Sequence, residues 1–124
     1  MGTARKILII DDDNRNVFAL SAVLRARGYS ILSATSGEEG LHILKENSDV
    51  GIVLMDMMMP EMDGYTLIPM IKNDDTIHKV PLVAVTAQAM TGDKERCMEA
   101  GADAYLSKPI DVDKLMALIT DLVK

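Results

Sequence analysis

Short apolar runs, each stopped by a polar or charged residue, alternate with helix-like segments along the whole chain, and this alternation most constrains the fold. Lys6-Ile7-Leu8-Ile9-Ile10 is followed at once by Asp11, Asp12 and Asp13. A strand with one wet face alternates apolar and polar residues, whereas an unbroken run marks a strand buried on both faces, as in a parallel sheet. Tyr29 to Ala34, Gly51 to Met55, Val80 to Val85 and Asp103 to Ser107 read as four further strands. Between the first two, Val17, Leu20 and Leu24 stand at helical spacing and Gly28 supplies a stop. Ser36 offers a helix cap, with Glu39 at capping-box spacing, ahead of Leu41 and Leu44. A turn-rich loop with Pro60, Asp63 and Gly64 leads into a helix ending near Lys72, and another runs from about Gly92 to Ala100. The last helix carries Leu115, Leu118, Ile119 and Leu122 on one face. Pro69 lies inside the third helix, where it removes a backbone donor and should kink or shorten it.

Five strands alternating with five helices require right-handed crossovers and a parallel sheet covered on both sides. No repeat or linker interrupts the pattern, so residues 5–124 read as one domain, after a flexible N-terminus or cloning remnant at residues 1–4. The length of 124 residues is enough to bury one core without disulfides. A hydrophobic fraction of 48% and a mean hydropathy of +0.12 exclude a disordered chain. No apolar run approaches the roughly 18 residues of a membrane span. The start, Met1 to Lys6, holds no signal peptide, and Lys6 stands where a myristoylation signal requires Ser or Thr. The expected location is the cytoplasm. Against 19 Asp and Glu there are only 13 Lys and Arg, a net charge of -6, which argues against direct nucleic-acid binding. Cys97 is the only cysteine, so no internal disulfide forms, and it reads as a half-buried small hydrophobe in a helix. Most of the ten methionines read as fillers of core gaps, with exposed ones suited to an adaptable protein-binding face.

In open parallel sheets the functional crevice lies beyond the carboxyl ends of the strands. Those ends carry Asp11, Asp12 and Asp13 after the first strand, Asp56 after the third, Thr86 after the fourth and Lys108 after the fifth. Taken singly, each has an ordinary structural explanation as a cap, a turn hydroxyl or a surface charge. Together they converge. Crowded carboxylates repel one another unless a cation joins them, and an oxygen-only donor set suits Mg²⁺. A hydroxyl and an ammonium opposite the metal would cradle a phosphoryl group.

The acidic pair ending Ile7 to Asp12, then Leu54-Met55-Asp56, Met59-Pro60-Glu61-Met62-Asp63-Gly64, Val85-Thr86-Ala87 and Lys108-Pro109, resemble the motifs of response-regulator receiver domains in order and spacing. The similarity spans about Arg5 to Val123. It implies a flavodoxin-like (βα)5 fold with strand order 2-1-3-4-5. It further implies Asp56 as phosphoacceptor and a Mg²⁺ (or Mn²⁺) site of Asp11, Asp12, Asp56 and the Met58 carbonyl, with Asp12 a direct ligand and Asp11 acting mostly through water. Asp13 falls outside this pair and reads as a loop or capping residue. By the same resemblance Thr86, Ala87 and Lys108 hold the phosphoryl group, Tyr105 turns inward as the switch, and the peptide between Lys108 and Pro109 is cis. Met58 and Gln88 would tune hydrolysis, the apolar Met58 slowing it. The implied donor is a sensor histidine kinase or a histidine phosphotransfer protein. The implied output surface is about Gly92 to Lys124, which docks a downstream protein target. The resemblance leaves open a stand-alone regulator or a piece of a hybrid kinase, as monomer or weak dimer.

Two other readings compete. Asp11-Asp12-Asp13 contains an Asp-x-Asp after a strand, as in haloacid-dehalogenase-like phosphatases, which would make Asp11 the nucleophile. Against it, this sequence does not show the late acidic pair after a strand or the cap domain that such enzymes carry. A degenerate receiver that binds partners without phosphorylation is disfavoured by the full set of Asp11, Asp12, Asp56, Thr86 and Lys108.

Overall fold

The computed structural model describes residues 6–57, 59, 64–86, 93–108 and 110–122. Strand β1 (Lys6–Ile10) leads to helix α1 (Asn14–Ala26), β2 (Ser30–Ala34) to α2 (Gly37–Glu46), and β3 (Val50–Asp56) to α3 (Gly64–Lys72). Then come β4 (Leu82–Thr86), α4 (Asp93–Ala100), β5 (Ala104–Ser107) and α5 (Val112–Leu122). The five strands form one parallel sheet in the order β2-β1-β3-β4-β5, the flavodoxin-like arrangement that the sequence implied.

Because successive side chains on a strand point to opposite faces, each buried run feeds two cores. Ile7, Ile9, Ile52, Leu54 and Val83 pack with Leu20 and Leu24 of α1 and Leu115 and Ile119 of α5. Leu8, Ile10, Val53, Met55 and Ala84 pack on the other side with Leu44 of α2, Leu67 and Ile68 of α3 and Cys97 of α4. Each such aliphatic side chain contributes about 1.5–3 kcal/mol by leaving water. Met55, Met57 and Met59 are buried fillers, while Met70 and Met98 are exposed. Cys97 is buried completely rather than by half, because it supplies the inward knob of α4.

Local signals set the helix ends. The Asp13 carboxylate accepts from the Arg15 and Asn16 amides (3.0 and 3.4 Å) and caps α1, which ends before Gly28 at φ +94. Ser36 accepts from the Glu39 amide at 3.1 Å, but the Glu39 carboxylate reaches back to Thr35 rather than to Ser36, accepting from its amide at 2.7 Å. Strand β4 begins at Leu82, not Val80: Pro81 has no amide to donate, although its carbonyl accepts from Val53. The α3 helix runs through Pro69 to Lys72, where the ring withholds one helical hydrogen bond.

Register positions the site. Lys6 pairs with Val50 but Ile7 pairs with Ile52, so the β1–β3 ladder skips Gly51. Beyond that shift Ile10 pairs with Met55, which brings Asp11 level with Asp56. Asp56 pairs with Val85, and Thr86 with Ser107, so Thr86 and Lys108 each stand one residue beyond those pairs.

Candidate functional site

At the carboxyl edge of the sheet, one carboxylate oxygen each from Asp11, Asp12 and Asp56 lies within 4.8 Å of the others. Asp11 and Asp56 are buried, with 3% and 6% of their surface exposed, while Asp12 faces solvent. Both buried positions follow from the strands, which end at the crevice: Asp56 is the last residue of β3 and Asp11 the first beyond β1. The Lys108 ammonium reaches across, 3.6 Å from Asp11 Oδ2 and 3.8 Å from Asp56 Oδ2. Its own amide donates to the Thr86 carbonyl at 2.8 Å, which ties the end of β5 to the end of β4. The Met57 amide donates to the Val85 carbonyl at 2.9 Å and carries the ladder one step past Asp56.

Thr86 closes β4 and is almost fully buried. Tyr105 is half-buried on β5, opposite Ala84, and packs against the core shared by α2, α3 and α4. Met58, Ala87, Gln88 and Pro109, whose roles the family resemblance implies, lie outside the described residues. Asp13 caps α1 and its amide donates to Asp11 Oδ1 at 2.9 Å, so its part in the site is to orient the first acid.

Sequence reasoning missed Asn16. Its side-chain amide donates to Asp11 Oδ2 at 2.6 Å from the first turn of α1. The signal was present in outline: once Asp13 is taken as the cap, the third helical residue falls next to the acid that precedes it. Both Asp11 oxygens are therefore engaged, Oδ1 by an amide and Oδ2 by Asn16 and Lys108. Three carboxylates crowd together and Lys108 pairs with two of them, Asp11 and Asp56, an excess of negative charge that a divalent cation with a preference for oxygen would offset.

A family model for the response regulator receiver domain matches residues 7–120, and the chain belongs to that family. Among its relatives, the polar-differentiation response regulator DivK of Brucella anthropi is 34% identical over 115 residues, covering 93% of each chain. The receiver domain of a sensor histidine kinase from Pseudomonas aeruginosa PAO1, described with a magnesium ion coordinated in the active-site cleft, superposes with a TM-score of 0.88. That likeness is at 29% identity and covers 98% of both chains. The match to a Saccharomyces cerevisiae co-crystal structure of the histidine phosphotransfer protein Ypd1 with the receiver domain of Ssk1 has a TM-score of 0.87 at 26% identity, covering 99% of this chain and 91% of that one.

The chain is thus a signalling domain of two-component systems, not a classical enzyme, and its acidic pocket is of the family's phosphoacceptor kind. The phosphatase reading, with Asp11 as nucleophile, falls with this assignment. Among the described residues, no helix is long and apolar enough to cross a membrane.

Proposed function

We propose that the chain is a phosphorylation switch in which Asp56 accepts a phosphoryl group from a phosphohistidine on a sensor histidine kinase or a histidine phosphotransfer protein. The convergence of Asp11, Asp12, Asp56 and Lys108 at one sheet edge carries this reading. An Asp56 oxygen attacks phosphorus in line, the new P–O bond forming as the P–N bond breaks and the imidazole nitrogen leaves with the electron pair. The product is an acyl phosphate, an anhydride that water can later cleave.

Asp12, Asp56 and the Met58 carbonyl are the residues that would hold Mg²⁺ or Mn²⁺ directly. Asp11, whose oxygens are already engaged, acts on the metal through water. The ion, when bound, offsets charge on the transferring oxygens. Lys108 pairs with one phosphoryl oxygen, and Thr86 and Ala87 bind the others. Movement of Thr86 then lets Tyr105 turn inward, shifting the population of a surface made by α4, β5 and α5 towards its target-binding form. Met58 hinders the attack of water and slows the loss of the acyl phosphate, and Gln88, which would orient that water, opposes this. The domain works in the cytoplasm as a monomer or weak dimer.

Intact mass after incubation with Mg²⁺ and acetyl phosphate tests the reading. A single phosphoryl adduct on the wild type and none on Asp56→Ala is the expected result. An adduct that survives in Asp56→Ala, or none on the wild type, would overturn it.

A further inference from the structure

Among the described residues, helix α4 buries fewer than α2 or α3 on the same face. Of its side chains from Glu95 to Ala100, only Cys97 is fully buried, and Glu95, Arg96, Met98 and Glu99 are exposed. Two α4 contacts meet on a single residue of α3, Tyr65. The Arg96 guanidinium stacks over the Tyr65 ring, 4.0 Å from its centroid, and Cys97 Sγ lies 3.8 Å from the Tyr65 hydroxyl.

Tyr65 in turn follows directly on a residue that is tied to Met57, the one after Asp56. Its neighbour Gly64 donates its amide to the Met57 carbonyl at 3.4 Å. A Cβ on Gly64 would collide with Met57 Sδ, so Met57 fills the space that this glycine leaves open. A continuous path of contacts therefore runs from Asp56 through Met57 and Gly64 to Tyr65, and from there to Arg96 and Cys97. It uses neither Thr86 nor Tyr105.

We propose that the stacking of Arg96 on Tyr65 is a clasp that sets the position of α4 and couples it to the state of Asp56. The proposal rests on the phosphoacceptor reading of Asp56 and adds a second route from that residue to α4. A cation over an aromatic ring at an exposed site is a weak contact, as a clasp that must open requires. Such a contact biases two arrangements of α4 by about two- to five-fold. Displacing Met57 by chemistry at Asp56 would move the first turn of α3 and change that bias.

Amide hydrogen exchange across α4, with and without Mg²⁺ and beryllofluoride, tests the clasp on wild type, Arg96→Met and Tyr65→Phe. Arg96 is exposed, so Arg96→Met keeps the aliphatic stem without endangering the fold. Without beryllofluoride, Arg96→Met should exchange α4 amides about two- to five-fold faster than wild type, with the sheet unchanged. Tyr65→Phe, which keeps the ring, should stay near wild type. On adding beryllofluoride, α4 exchange in wild type should change, and in Arg96→Met that change should shrink by about half or more while intact mass after incubation with acetyl phosphate still shows the Asp56 adduct. Wild-type exchange and response in Arg96→Met would overturn the clasp and leave the phosphoacceptor reading standing. Absence of the adduct on wild type would overturn both, because the clasp would then have no input.

Discussion

The two ends of the sheet treat charge in opposite ways. At the amino edge two ion pairs are close and matched. Lys72 Nζ lies 2.8 Å from Asp103 Oδ2 and 3.1 Å from the Val80 carbonyl, and the same Asp103 oxygen accepts from the Leu82 amide at 2.8 Å. Lys6 pairs with Asp49 at 3.1 Å, and their backbones are also hydrogen-bonded. At the carboxyl edge three carboxylates crowd together, and Lys108 stands 3.6 and 3.8 Å from two of them, Asp11 and Asp56. The amino edge is arranged to hold strands, and the carboxyl edge is arranged to receive something. Short, matched pairs are complete in themselves, whereas an excess of one sign over a long reach is stabilised only by a ligand of the other sign.

Removing the lysine tests the receiving end most severely. Lys108→Ala should slow phosphorylation by acetyl phosphate on the order of 10²-fold, as measured from the time course of the mass adduct. A change of less than a few-fold would mean that Lys108 only pairs with the acids at rest. The next effect concerns the lifetime of the product. Met58→Asn should shorten the decay of the phosphorylated protein several-fold by giving the attacking water a polar neighbour, and unchanged or slower decay would remove Met58 from the account.

The same chemical change at the two ends should act in opposite directions. Asp103→Ala should cost about 1–2 kcal/mol in urea unfolding, since Lys72 and the Leu82 amide both lose an acceptor. Asp12→Ala, measured in EDTA, should raise the urea midpoint by relieving repulsion, and should abolish any stabilisation by added Mg²⁺. A loss of stability in both variants would erase the distinction drawn between the edges.

The smallest effect lies near the matched end, in the loop after α3. Asp74 accepts from the Thr76 hydroxyl at 2.6 Å and its amide at 2.8 Å, and these bonds, helped by Lys45, hold its carboxyl down at about 2. Because that value lies below the ordinary 3.8, Asp74 adds stability that is complete above 3.8 and is lost as the pH falls towards 2. Thr76→Val should flatten the fall in stability across that window, and an unchanged slope would show that the hydroxyl bond is not responsible.

Much of the fold could be read along the chain because it depends on local pattern. Unbroken apolar runs announced β1 and β3, and Asp13, Ser36 and Gly28 announced the ends of α1 and α2. Strand β4 was misjudged at its start because Val80 looks like a strand residue, while the neighbouring proline that delays the ladder acts through a missing amide. Cys97 was underestimated because α4 is so polar that its single inward position carries little weight in a periodicity.

The sequence by itself determined the five alternating elements, the residues that stop each strand, and so the list from which the site is built: Asp11, Asp12, Asp56, Thr86 and Lys108. Only the tertiary structure decided how those residues meet. The skip at Gly51 brings Asp11 level with Asp56, and without it the one-residue slip would have turned one of the two acids to the other face of the sheet. Arg96 met Tyr65 across a distance in the chain that no local pattern spans, whereas Asn16 reached Asp11 from the next helix start, once Asp13 had set where α1 begins. Periodicity reports which way a side chain points on its own element, whereas register and packing between elements depend on contacts made after the chain has closed upon itself.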